Sequence, residues 1–128
     1  MSLDIQIKKS LDPTRQDSAT VELHGSLDTA TSPELERGLQ PLFDGGVRQL
    51  VFDLAALKFV SSAGLRVFGV ARKTLRERGG RVCFVNMQPQ VEEVFQIIKA
   101  LPGLDVFRNT AELDEYLAAR QLRDRDED

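Results

Sequence analysis

The chain has 128 residues, 41% hydrophobic and 29% charged, with 17 Lys and Arg against 20 Asp and Glu and a formal net charge of −3. That length suits one domain with one core, and the composition is that of an ordinary soluble globular protein. No basic field is present to hold nucleic acid; the lone cysteine, Cys83, leaves no internal disulfide and suits a reducing compartment; one histidine, with no CxxC or HxxxH spacing, leaves no expected metal site.

The N-terminus, MSLDIQIKKS, has no apolar stretch of signal-peptide length, and no window approaches the roughly 20 apolar residues of a membrane span. The expected location is the cytoplasm, with no membrane insertion. Residues 3–8, LDIQIK, alternate apolar and polar and predict a strand. After the turn-rich LDPTRQDSA, TVELHG alternates again, so the first two strands are expected to pair antiparallel. Ser32 before Pro33 predicts a helix N-cap. Leu35, Leu39, Leu42 and Phe43 then share one helical face, and Gly45–Gly46 stop it.

RQLVFDL is a nearly continuous apolar run, predicting a central strand covered on both faces. The sequence KFVSSAGLRVF comes next, and a helix is expected over 62–78, with Leu65, Phe68, Ala71 or Arg72, and Leu75 at helical spacing. Arg72, Lys73, Arg76 and Arg78 crowd its last turns, where positive charge suits the helix dipole. RVCFVNM predicts another buried strand, with Cys83 as a small core residue. Pro89 opens a third helix with Val91, Val94, Phe95, Ile98 and Leu101 as its stripe, closed by Pro102. DVF predicts a short strand, and Asn109 or Thr110 caps a last helix holding Leu113, Tyr116 and Leu117. The order β-β-α-β-α-β-α-β-α argues an α/β layer on a mixed, mostly parallel sheet. Neither a GxxxxGK nor a GxGxxG loop occurs, so no nucleotide cofactor is expected.

Two adjacent hydroxyls, Ser61 and Ser62, followed by Ala63 and Gly64, stand where the central strand hands over to its helix. Either serine can cap the orphan N–H groups there. Capping leaves Ala63 and Gly64 unexplained, and small residues in a first turn predict a close neighbour. Val67 and Val70 lie off the Leu65–Phe68 stripe and pack either inside the domain or on a partner. A phosphate at this helix mouth would add roughly −1.5 to −2 charges where the helix itself favours anions. A surface closing over the small residues would meet new bulk and charge.

The combined pattern HGSLDTATSPEL and LVFDLAALKFVSSAGLRVF resembles the STAS family, and within it the bacterial anti-sigma factor antagonists. The family's Gly-x-Leu-Asp turn corresponds to Gly25-Ser26-Leu27-Asp28. Its Asp-Ser-Ser-Gly-Leu helix start reads Ser61-Ser62-Ala63-Gly64-Leu65 here, with Ser61 in place of the Asp and Ala63 in place of the second serine. The resemblance implies a single-domain STAS fold over 1–120, a mixed sheet with about four helices mainly on one face; the charged stretch 121–128, with no apolar residue after Leu122, is expected to fray. It also implies a mechanism. The unphosphorylated protein binds an anti-sigma factor that is itself a serine kinase and so frees a sigma factor. The kinase then phosphorylates the antagonist, which releases it, and a serine phosphatase resets the switch. Carried over, the acceptor is Ser62, with Ser61 second to it. Asp28, Thr29, Ser61, Ser62, Ala63, Gly64 and Val67 form the partner surface.

This reading expects a non-enzymatic binding protein, monomeric on its own, with the Ser62 hydroxyl uncovered. An alternative within the family is a non-switching subunit that binds an ABC-transporter ATPase in lipid transport, with Ser62 structural. A third is a small hydrolase built on Ser62 and His24, which needs an orienting carboxylate such as Asp28 or Asp53. A structural role for Asp53, bonding N–H groups near residues 56 to 60, is the simpler expectation.

Overall fold

The structure, a computed structural model, describes residues 2–9, 17–100, 111, 114–119 and 121. In chain order the elements are β1 (Leu3–Lys9), β2 (Ser18–Leu27), α1 (Ser32–Asp44), β3 (Gln49–Val60), α2 (Ser62–Glu77), β4 (Arg81–Val85) and α3 (Pro89–Ala100). Residues 114–119 are also helical. The expected DVF strand and the Asn109/Thr110 cap lie outside the described residues, as do the side chains of Ile98 and Leu101.

The four strands form one mixed sheet in the order β1-β2-β3-β4. β1 runs antiparallel to β2, with Ile5 opposite Leu23 and Ile7 opposite Val21. The β2–β3 and β3–β4 pairs are parallel, Val21 facing Phe52 and Phe52 facing Phe84. Each parallel pair is joined through a helix, as parallel strands require.

Strand alternation sends one set of side chains to a covered face. Ala19, Val21 and Leu23 of β2 and Leu50, Phe52 and Leu54 of β3 are all essentially buried there. Leu35, Leu39 and Leu42 of α1 and Phe68, Ala71 and Leu75 of α2 supply the helical side of the core. The rings of Phe52, Phe68, Phe84 and Phe95 meet at centroid distances of 4.9 to 5.9 Å and tie β3, α2, β4 and α3 together.

The opposite face departs from expectation. Val51 and Asp53 of β3 are only half-buried, and Cys83 and Val85 of β4 are exposed. The central strand is therefore covered on one face, and Cys83 is not a core residue. An apolar run reads the same whether a strand is buried on two faces or half-solvated with Val and Cys outward, and no helix of the described residues packs on that side.

β3 also runs further than its apolar run suggests, to Val60. Its pairing with β2 slips twice, between Glu22 and His24 and between Gly25 and Ser26. Each slip inserts an extra β3 residue, a bulge that breaks the two-residue alternation. Leu54, Leu57 and Val60 are buried in consequence, three apart rather than two. Without the bulges Leu27 would face Lys58; with them it faces Val60. That offset sets Ser61 and Ser62 beside the loop after β2.

Candidate functional site

The loop after β2 is organised by one carboxylate. Asp28 Oδ1 accepts from the N–H groups of Ala30 and Thr31, both at 3.0 Å. The Thr31 hydroxyl accepts from Asp28 N–H at 2.9 Å and donates to the Ser26 carbonyl at 2.9 Å. Ser32 Oγ donates to the Asp28 carbonyl at 2.6 Å. Such Asx-type turns are what short acceptor side chains make readily. The cap of α1 is Thr31, not Ser32; Ser32 and Pro33 are the first two helical residues. Asp28 is half-buried, and Thr29 is exposed at the loop's tip. Gly25, before this loop, has φ +113°, and a Cβ there would run into the Ser2 carbonyl.

The α2 mouth is built against this loop. Ser61 N–H donates to the Leu27 carbonyl at 2.9 Å. Ser61 is the N-cap, in extended conformation, and its Oγ accepts from Gly64 N–H at 3.4 Å, a long cap bond. Ser62, the first residue of the helix, is 8% exposed. Its Oγ is buried and has no hydrogen-bond partner among the described residues. The sequence expectation of an uncovered Ser62 hydroxyl is thus corrected. Ser62 lies inside the first turn and not at the cap, and its oxygen does not face solvent.

The C-terminal part, expected from the sequence only as a last helix, also enters the site. Ser62 N–H donates to Asp114 Oδ1 at 2.8 Å. An anion at a helix N-terminus satisfies an orphan donor and complements the dipole. Seven residues on, the Gln121 carboxamide brackets Val60: Oε1 accepts from Val60 N–H at 2.9 Å and Nε2 donates to the Val60 carbonyl at 2.8 Å. Gln121 is helical and 0% exposed, so it belongs to the fold and not to the tail. Gln88 and Gln90 treat β3 likewise, donating to the carbonyls of Ala55 at 2.8 Å and Lys58 at 3.3 Å. β4 pairs with β3 only as far as Val85 opposite Asp53. Beyond that point, glutamine side chains occupy the ladder positions a longer β4 would fill, as buried backbone groups demand. The sequence signal was slight: Gln121 lies one helical turn from Leu117, a polar residue on the apolar stripe.

Of the expected partner surface, Asp28, Thr29 and Ala63 reach solvent at least in part, while Ser61, Ser62 and Gly64 are buried. Val67 is 3% exposed and closes into the domain's own core. Its neighbour Val70, 55% exposed, faces out beside a groove of about 240 Å³ between α1 and α2, walled by Leu39, Phe43 and Val67. Gly64 has an internal explanation. A Cβ there would stand 2.7 and 2.8 Å from Leu27 side-chain carbons and 2.9 Å from Val60 Cγ2. The close neighbour that the small residue predicts is thus the domain's own core.

A paired substitution checks this. Alanine is worth about 1 kcal/mol over glycine in a helix interior. Gly69→Ala, where nothing lies within 4 Å of the new Cβ, is expected to raise the urea midpoint by that preference. Gly64→Ala is expected to lower stability by about 1–3 kcal/mol through overpacking. Stabilisation by both would show that the α2 mouth has slack.

A hydrolytic dyad is not assembled. His24 Nε2 and Ser62 Oγ are both without a hydrogen-bond partner, so they do not bond each other. Both candidate orienting carboxylates are engaged elsewhere, Asp28 by its own loop and Asp53 by Ala55 N–H at 3.1 Å and Asn86 Nδ2 at 3.3 Å. The carboxylate beside His24 is Glu22, with its Oε2 3.7 Å from Nε2. Among the described residues no cluster of His, Cys, Asp and Glu could hold a metal, and no helix is long and apolar enough to cross a membrane.

Comparison with known proteins matches residues 10–113 to the STAS domain model. BtrV of Bordetella bronchiseptica, which carries the name of an anti-sigma factor antagonist, is 40% identical over 75 residues. That stretch is 59% of this chain and 65% of BtrV, just under two thirds of the relative's length. The anti-sigma-B factor antagonist of Staphylococcus aureus is 28% identical over 89 residues, 69% of this chain and 82% of that one. Among solved structures, unphosphorylated SpoIIAA, an anti-sigma factor antagonist, superposes with a TM-score of 0.61 at 22% identity, over 73% of this chain and 83% of its own. SpoIIAA of Bacillus is also known in a phosphorylated form, with a TM-score of 0.60.

Proposed function

This chain belongs to the STAS domain family, and on that premise we propose that it is an anti-sigma factor antagonist switched by phosphorylation of Ser62. Unphosphorylated, it binds an anti-sigma factor that is also a serine kinase, through Thr29, Asp28 and the mouth of α2. The γ-phosphorus of the kinase's ATP then bonds to Ser62 Oγ as its bond to the β-phosphate oxygen breaks. ADP leaves, and the hydroxyl proton passes to a base of the kinase. The phosphorylated protein dissociates, and a serine phosphatase restores it.

The observation that carries this reading is the state of the Ser62 hydroxyl. A buried polar group without a partner costs about 1–3 kcal/mol, and such groups in folded proteins call for an explanation. Alanine would fill the same position at no such cost. A hydroxyl kept for modification accounts for it, at a helix mouth whose N–H groups suit the added phosphate. The identity to BtrV, by that relative's name, supports the partner class.

The test is to incubate the protein with ATP and a lysate of its native host, recover it and map phosphate by mass spectrometry. Wild type is expected to carry phosphate on Ser62, and Ser62→Ala to carry none. Equal uptake by a folded Ser62→Ala protein would move the acceptor elsewhere. No uptake by wild type, with a stable partner retained through ATP treatment, would make this a constitutive binder.

A further inference from the structure

The proposed acceptor is covered by the chain that carries it. Three contacts hold the helical residues 114–119 and Gln121 across the end of β3 and the start of α2. The Asp114 carboxylate takes Ser62 N–H at 2.8 Å. The Gln121 amide brackets Val60, and Leu117 is fully buried. The residue whose amide Asp114 takes also carries a hydroxyl that is unpartnered and nine-tenths buried.

A phosphate on Ser62 and a carboxylate on the amide of the same residue want the same place. Both are anions, both seek the orphan N–H groups of one helix end, and a phosphate brings roughly −1.5 to −2 charges beside the carboxylate's −1. The Ser62 oxygen is already buried, so three more oxygens need room that the closed arrangement must give up. We propose that Asp114 is an internal guard of Ser62. With its carboxylate seated on α2, the segment from Asp114 to Gln121 blocks the hydroxyl; with the segment lifted, Ser62 is open to modification; once phosphorylated, Ser62 keeps the segment from reseating. The guard's regulatory purpose rests on the phosphoacceptor reading above, but the cover itself does not. The device is two-state, and both the C-terminal segment and the kinase bias it. A partner that binds the lifted segment would control how readily this antagonist is switched off.

The cover can be measured without a kinase. Ser62→Cys places a thiol of nearly the same size under the segment, and Cys83→Ser removes the exposed native thiol. In that background, modification of Cys at position 62 by an aromatic disulfide reagent reports opening. The guarded protein is expected to react far more slowly than the urea-unfolded chain. Adding Asp114→Ala is expected to speed the reaction about ten-fold, the factor that loss of one charge-assisted hydrogen bond implies. Gln121→Ala, which leaves the carboxylate in place, is expected to act in the same direction. Thermal unfolding shows that each variant is folded at the assay temperature.

Reaction as fast as in the unfolded chain without either substitution, or no acceleration by either, overturns the guard. The two readings fail separately. Gated labelling with no phosphate on native Ser62 sinks the acceptor and keeps the cover. Ungated labelling with phosphate on Ser62 does the reverse.

Discussion

Phosphate on Ser62 is expected to weaken binding to the anti-sigma factor by at least about a hundred-fold, since like charge set into an interface costs several kcal/mol and each 1.4 kcal/mol is a factor of ten. The groups proposed to face the partner give the reason to expect the penalty at this residue. The proposed partner surface is made of small groups, Ala63 half-buried and Thr29 exposed, with the half-buried Asp28 and, on the Ser62 amide, Asp114 contributing carboxylates. None of these is a cation that could neutralise a dianion, and the net charge of the chain is already −3. The α2 N–H groups can donate to the phosphate, so the sheet and α1–α3 are expected to stay folded while the partner is lost. The measurement is titration calorimetry against the anti-sigma factor recovered from the native host on immobilised protein. Phosphorylated protein, unphosphorylated protein and Ser62→Ala are compared. Ser62→Ala is expected to bind like the unphosphorylated form. A phosphorylated protein that binds within a few-fold of it would end the switching account.

Phe52→Ala is expected to cost about 3–5 kcal/mol, as deletion of a fully buried aromatic ring does. Phe52 is 0% exposed, and its ring lies 4.9 Å from that of Phe68 and 5.5 Å from that of Phe84. It therefore joins the central strand to both α2 and β4. A small domain holds only about 5–15 kcal/mol in all, so this single change takes away a large share. With a urea dependence of about 1–3 kcal/mol per molar, the midpoint falls by roughly 2 M. Val51, the preceding residue, points to the half-open face, and Val51→Ala is expected to cost well under half as much. Equal shifts for the two would mean that the sheet is covered on both faces after all. Because Phe68 anchors α2 through this ring, Phe52→Ala is also expected to loosen the helix mouth and raise the labelling of position 62.

The helical spacings were legible along the chain. Leu35, Leu39 and Leu42, and Phe68, Ala71 and Leu75, are buried as their 3.6-residue period requires. The antiparallel first pair and the parallel remainder also followed from local pattern and the order of elements. The sides of the sheet did not. Val51, Cys83 and Val85 are as apolar as core residues, and only the placement of helices on one face leaves them half-buried or exposed. The end of β3 was hidden too, because two bulges replace its alternation with a three-residue spacing.

The candidate site divides along the same line. By itself the sequence determined the pair of hydroxyls, the glycine behind them, the loop of Asp28 and Thr29, and the kind of protein in which such a constellation serves. Those are local features, set by which residues follow one another. Tertiary structure alone decided what surrounds them: Leu27 and Val60 filling the space over Gly64, Gln121 completing the edge of β3, and Asp114 holding the amide of Ser62 from 52 residues away. A hydrogen bond between such distant residues leaves no periodicity in the chain. It exists because the packing of Leu117 beneath its helix carries that carboxylate to an unsatisfied N–H.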